Sequence, residues 1–233
     1  TPVVLISGCS GGIGRALADA FKAAGYSVWA GARKTADLEQ LSAAGFIAVA
    51  LDVNDATAIG QAVERLGREA GRLDSLINNA GYGGIAPLLD GGVEAIHRQF
   101  ETNVYSLVGV TRACFDLLRA SKGLVVNIGS VSGVMTTPYA GAYCASKAAV
   151  HAMCDALRME LAPFSIEVME VQPGAIESNF GANASQHAEQ LISESSPWWP
   201  LREGIRARAN VSQEKPTPAS EFAAGVLRTV GRS

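Results

Sequence analysis

The chain of 233 residues lacks the patterns that would mark it as a metal, disulfide or nucleic-acid protein. Its three histidines are scattered and form no H-x-x-x-H, so no metal site is expected. The four cysteines, Cys9, Cys114, Cys144 and Cys154, include no C-x-x-C pair. Such sparse spacing suits reduced thiols in a reducing compartment better than a disulfide framework. A net charge of only −3 offers no basic face for nucleic acid. No apolar run is long enough to span a bilayer, and the N-terminus does not read as a signal peptide. The expectation is a soluble, cytoplasmic chain. It opens on an apolar strand at residues 2–6 without an initiator methionine, which reads as trimmed or disordered ends.

What the sequence does have is apolar residues, at 48%, ample for one extensive core. Short β-branched runs at residues 3–7, 27–31, 47–51, 75–77, 124–128 and 166–171 read as strands. Helical patterns fall between them at 12–24, 35–43, 56–70, 93–120 and 140–162, with a last helix at 219–230. The strands are continuous apolar runs such as Val3-Val4-Leu5-Ile6 instead of alternating ones, the mark of a parallel sheet covered on both faces. The expected fold is therefore α/β, a Rossmann-type doubly wound parallel sheet in a single domain over residues 1–233. Residues 179–218 break the rhythm: they are polar, carry four prolines and hold the pair Trp198-Trp199, which suggests a lid or a partly disordered segment.

After the first strand comes Ser7-Gly8-Cys9-Ser10-Gly11-Gly12-Ile13-Gly14, leading into a helix. Glycines here permit a tight turn and close approach of backbone to a pyrophosphate, and the helix N-terminus offers free N–H groups. The plain alternative is an ordinary turn. No Gly-Lys-Ser/Thr follows, so this is not a P-loop. At the end of the second strand, where an NAD-binding fold would place an acid on the ribose, stand Ala32, Arg33 and Lys34. A guanidinium there can grip the 2′-phosphate of NADP, or the two cations can be a solvated loop pair. Asp52, beside Val53, closes the third strand, either to bond an adenine amino group or to cap the turn. Asn78-Asn79-Ala80-Gly81 closes the fourth, with structural and cofactor roles both open.

Tyr143 and Lys147 lie four residues apart, on one helical face, with Ser130 upstream. A nearby ammonium favours the phenolate and is expected to lower the Tyr143 pKa, making it a general acid or base.

This ordered set resembles the short-chain dehydrogenase/reductase family over essentially the whole chain. The motifs 8–10, 30–33, 128–131 and 143–147 look most like the branch containing 17β-hydroxysteroid dehydrogenases and acyl-dihydroxyacetone-phosphate reductases. The resemblance implies NADP(H) as cofactor and a ketone or aldehyde, interconverted with its alcohol, as substrate. It implies catalytic roles for Asn103, Ser130, Tyr143 and Lys147, with Asn103 anchoring a water relay and Lys147 also holding the nicotinamide ribose. It places Ser7, Gly8, Ser10, Gly11, Gly12, Ile13 and Gly14 on the cofactor. Arg33, Lys34, Asp52, Val53, Asn79, Ala80 and Gly81 join them, as do Pro173, Gly174, Ile176 and Ser178. Ser7 stands for the family's usual threonine, and Ser178 for a threonine that often contacts the carboxamide. The family also adds a strand after the last helix, whereas this sequence stops at Ser233, so that strand is either omitted or missing. A homodimer or homotetramer is implied. Apolar residues Tyr82, Ile85, Val134, Met135 and Tyr139 are expected to wall a lipophilic substrate pocket, and residues 179–199 to order on binding. The two tryptophans either serve that lid or anchor it on the core or on a neighbouring subunit. Two readings of other classes compete: a redox-inactive NADP-binding regulator, and an assembly subunit.

Overall fold

The computed structural model describes residues 1–179, 183–184, 186 and 192–231. Six parallel strands stand in the order β3-β2-β1-β4-β5-β6. They are β1 (Val3–Ile6), β2 (Ser27–Ala32), β3 (Ile47–Ala50), β4 (Ser75–Asn78), β5 (Leu124–Ile128) and β6 (Glu167–Val171). Both faces of β1 are buried, which explains its unbroken apolar run. Val3 and Leu5 enter one core cluster, Val4 and Ile6 the other.

Helices α1 (Gly12–Ala23) and α2 (Thr35–Ala43) cover one face, with Leu17, Phe21 and Leu41 facing the sheet. The final helix, Ala219–Val230, packs beside them through Ala223, Val226 and Val230. The other face is covered by α3 (Ala56–Glu69), α5 (Ser106–Ser121) and α6 (Gly141–Leu161). Asp55 caps α3 by accepting from the Thr57 and Ala58 amides. The chain reverses direction across the sheet between β1 and β4, which makes the crevice at their carboxyl ends the topological switch point.

Two expectations are corrected. The pattern at 93–120 is not one helix: α4 runs Leu88–Phe100, a π-helical turn follows at Glu101–Tyr105, and α5 begins at Ser106. Gly91-Gly92 lies inside α4, where Gly92 absorbs a kink at φ +62° that glycine tolerates. The stretch 179–218 is also less irregular than its prolines suggest. Its described part contains a helix, Arg202–Asn210, here called α7, flanked by single 3₁₀ turns at Trp199–Leu201 and Val211–Gln213. Ile205 and Ala209, one turn apart, bury that helix against Ile85, Ala140 and Cys144. The final helix is α8. Among the described residues, no helix is long and apolar enough to cross a membrane.

Candidate active site

The loop after β1 is shaped for a bound anion. A Cβ on Gly14 would lie 2.1 Å from the Gly8 carbonyl oxygen, so only glycine fits there. Gly8 and Gly12 adopt φ of +75° and +53°, and a Cβ on Gly12 would meet the Ser178 Cβ at 3.0 Å. The N-terminus of α1 carries no side-chain cap and no acidic residue in its first turn, leaving its amides and positive dipole end to a ligand. These residues fit a dinucleotide phosphate. Ser10 and Gly11 are exposed on this rim, while Ile13 is half-buried against the core. Ser7 is placed differently from the expectation. Its buried hydroxyl accepts the Asn79 and Ala80 amides, at 3.1 and 3.0 Å, and so ties β1 to β4 from behind. Asn79 in turn donates to the Ser7 and Gly8 carbonyls at 3.0 and 3.1 Å, holding the cradle's shape.

Arg33 and Lys34 stand exposed at the end of β2, and neither has an ion-pair or hydrogen-bond partner among the described residues. Asp52 caps its turn by accepting the Asn54 amide at 3.0 Å, beside buried Val53. The turn-capping side of the alternative is thus seen, and the second carboxylate oxygen has no partner among the described residues.

Beneath the rim lies a buried amide network. Asn78 donates to Thr111 and to Asn127, at 3.0 and 2.9 Å, joining β4, α5 and β5. Asn103 sits in the π turn, a feature that often marks functional sites. Its side chain accepts the Tyr82 amide at 3.1 Å and donates to the Tyr82 carbonyl and the Ser146 hydroxyl. Gln99, one turn earlier and 1% exposed, grips the same loop through Tyr82 O and Gly84 N. Gln99 was not singled out from the sequence. Two amide side chains four residues apart, at Gln99 and Asn103, were the available signal.

Ser130 extends from β5 and caps the short turn Val131–Gly133, accepting the Ser132 amide at 3.1 Å. Its hydroxyl lies close enough to the Tyr143 phenol to favour the ionised form of that group. Lys147, 7% exposed, donates to the Ile128 carbonyl at 2.7 Å, with its ammonium 5.9 Å from the Tyr143 ring centroid. The expected depression of the Tyr143 pKa is not found. Burial raises it, with the Ser130 hydroxyl acting weakly in the opposite sense. The ammonium lies over the ring and is itself desolvated, so burial brings Lys147 down to about 8.

Pro173 accepts the Val131 amide at 3.1 Å, binding the segment after β6 to the Ser130 turn, and Gly174 is exposed beside it. Ile176 is buried and forms a bridge to Thr217, while Gln213 holds Ile176 O and the Ser178 amide. A cavity of about 440 Å³ opens alongside, lined by Leu88, Leu89, Thr136, Thr137, Tyr139 and Trp198 among others. Neither Ser130 nor Tyr143 lines it, but Gly141, at the start of the helix that carries Tyr143, does. Of the expected wall residues only Tyr139 is there. Ile85 is buried against Ala140 and Ile205, and Val134 and Met135 are 71% and 67% exposed. Trp198 and Trp199 pack on the small apolar cluster of Ile85 and Ile205, and Arg202 stacks on Trp199 at 4.6 Å. They anchor this segment on the core, and Trp198 also faces the cavity. The expected ordering of 179–199 falls in part on residues 180–182, 185 and 187–191, which lie outside the described residues.

A glycine cradle at the switch point and the Tyr143 phenol near Ser130 at the end of β5 share one rim of the sheet, the layout of a nucleotide-dependent oxidoreductase. Known proteins carry this further. The family model described as short chain dehydrogenase matches residues 2–189, and the chain belongs to that family, whose members use a nicotinamide cofactor. It is 35% identical over 98% of its length to an NADPH-dependent 1-acyldihydroxyacetone phosphate reductase of Schizosaccharomyces pombe, covering 78% of that protein. It is 36% identical to an NADPH-dependent 3-dehydrocapnine reductase of Ornithobacterium rhinotracheale, over 77% of this chain and 67% of the other. A crystal structure of a short-chain dehydrogenase from Streptomyces avermitilis superposes with a TM-score of 0.82. It is 32% identical, covering 98% of this chain and 83% of that one.

Proposed function

We propose that the chain is an NADP(H)-dependent carbonyl reductase that interconverts a lipophilic ketone or aldehyde with its alcohol. The observation that carries this reading is the Ser130 hydroxyl set beside a half-buried Tyr143 phenol whose pKa desolvation raises. A phenol whose pKa burial raises stays protonated at neutral pH, the state a proton donor to a carbonyl oxygen requires. Ser130 bonds the same oxygen and so steadies charge that develops on it. A bound nicotinamide would supply the hydride, or take it in the reverse direction. Lys147 is within reach to orient the ribose, Asn103 holds the Tyr82 loop that faces the cofactor, and the partnerless guanidinium of Arg33 receives a 2′-phosphate. Two relatives, named as an NADPH-dependent 1-acyldihydroxyacetone phosphate reductase and an NADPH-dependent 3-dehydrocapnine reductase, support the cofactor, and the acyl group in the first name supports an apolar substrate. Residues 179–218 act as the substrate cover, with the cavity at Leu88, Leu89 and Trp198 receiving the apolar chain. Exposed Tyr105 and Val108 on the α5 side and Met159 on α6 support a homodimer or homotetramer formed through these helices.

The test is NADPH consumption across ketones graded by chain length and polarity, with the Tyr143→Phe variant as control. Each added methylene is expected to gain about 0.8 kcal/mol until the pocket is full. The variant should lose about 10²–10⁴ of turnover while cofactor affinity stays nearly unchanged. A variant within tenfold of the parent would remove Tyr143 from the mechanism. A flat response to chain length, or preference for small polar sugars, would remove the lipophilic pocket alone.

A further inference from the structure

Behind Ser130 lies a buried imidazole that the proposed chemistry does not use. His151 is on α6, one turn beyond Lys147, and its Nε2 accepts the Ser130 amide at 3.3 Å. The same nitrogen lies 3.3 Å from Glu170 Oε1 on β6, with both side chains mostly buried at 15% and 11% exposure. The ring fills the space that side chains on the flanking residues would take. A Cβ on Gly129 would come within 2.7 Å of it, and one on Gly133 within 2.3 Å. Glycine on either side of Ser130 is thus what lets the imidazole press against this turn.

We propose that His151 is the positioning residue for Ser130, holding its hydroxyl toward Tyr143 by accepting the Ser130 amide. This rests on the reading of Ser130 and Tyr143 given above. One nitrogen cannot serve both neighbours at once. Neutral imidazole turns its Nε2 lone pair to the Ser130 N–H; imidazolium turns an Nε2 proton to Glu170. Protonation therefore takes the acceptor away from Ser130. The groups around the ring are few. Glu170 faces it from β6, and on α6 Lys147 and Asp155 lie one turn to either side. The end of β5 and the turn after it bring only Gly129, Ser130, Val131, Ser132 and Gly133, none of them charged.

The test has two readouts, both on the full chain. In ¹H–¹⁵N spectra of the cofactor-free protein, the Ser130 amide should move with pH in step with the His151 ring, and stop moving in His151→Gln. In steady-state reduction of the best ketone from the graded panel, His151→Ala should lower kcat at least tenfold with KM and NADPH affinity within twofold. His151→Gln, whose amide oxygen can accept the Ser130 N–H, should restore most of kcat and abolish its acid limb. A Ser130 amide that ignores His151 titration, or a His151→Gln enzyme with the parent's acid limb, overturns the proposal; the Gln variant decides this even where His151→Ala does not fold. Failure of Ser130→Ala to lower kcat overturns the catalytic reading instead, and leaves the amide measurement to judge the contact.

Discussion

Lys147 shows how one side chain answers to opposed demands. Burial makes its ammonium costly, and its bond to the Ile128 carbonyl offsets only part of that cost. Its pKa falls from 10.5 in the unfolded chain to about 8 in the fold, so between those values the unfolded chain binds more protons. Stability from this group therefore rises with pH across that window, and the penalty is fully present below pH 8. Lys147→Met should be the more stable protein at pH 7, and its advantage should shrink by roughly 2–3 kcal/mol by pH 10 in urea unfolding. An advantage that does not change with pH would mean the ammonium is solvated. Arg33 is the opposite case, a cation with neither burial nor partner among the described residues. Hydrogen bonds to a charged partner contribute about 1.5–3 kcal/mol, so NADPH should be preferred over NADH by about ten- to a hundredfold. Arg33→Ala should erase most of that preference in kcat/KM; equal use of the two cofactors by the parent would remove the role.

Among the elements, the π turn between α4 and α5 is the one most directly tied to the site. It buries Asn103 where an unbroken helix would carry the side chain elsewhere around the axis, and so lets it meet the Tyr82 loop. Asn103→Ala leaves the Tyr82 amide without that acceptor and removes bonds to two further groups. The expected loss is about 1–3 kcal/mol in chemical denaturation, together with faster hydrogen exchange at the Tyr82 amide. Unchanged exchange there would mean the loop is held by Gln99 alone. The strands and most helices were readable because the two-sided burial of a parallel sheet leaves an unmistakable apolar run. The π turn was not, since an added residue in a helix leaves the apolar pattern of Val104, Leu107, Val110 and Cys114 nearly intact.

Over the whole molecule, two apolar cores on either side of one sheet hold the cradle and the Ser130, Tyr143 and Lys147 side chains on a common rim. A ligand that binds only the folded chain must stabilise all of it. NADPH at about a hundred times its Kd should add about 2.7 kcal/mol, hence about 5–10 °C in Tm for a domain of this size. Gly14→Ala, whose methyl would strike the Gly8 carbonyl, should fold with a blunted NADPH shift; a full shift would place the cofactor elsewhere.

Much of this protein was settled along the chain. Local patterns of apolar run, glycine loop and Tyr143–Lys147 spacing depend on neighbours within a turn or a strand, and each is written in consecutive residues. The three-dimensional fold decided what depends on long-range neighbours. Burial, not the nearby ammonium, sets the Tyr143 proton, because desolvation is a property of everything packed around the phenol. Ser7 supports the cradle from behind because β4 supplies two amides more than seventy residues away in sequence. His151 reaches Ser130 and Glu170 only because α6 crosses the ends of β5 and β6, and no spacing in the sequence records that crossing.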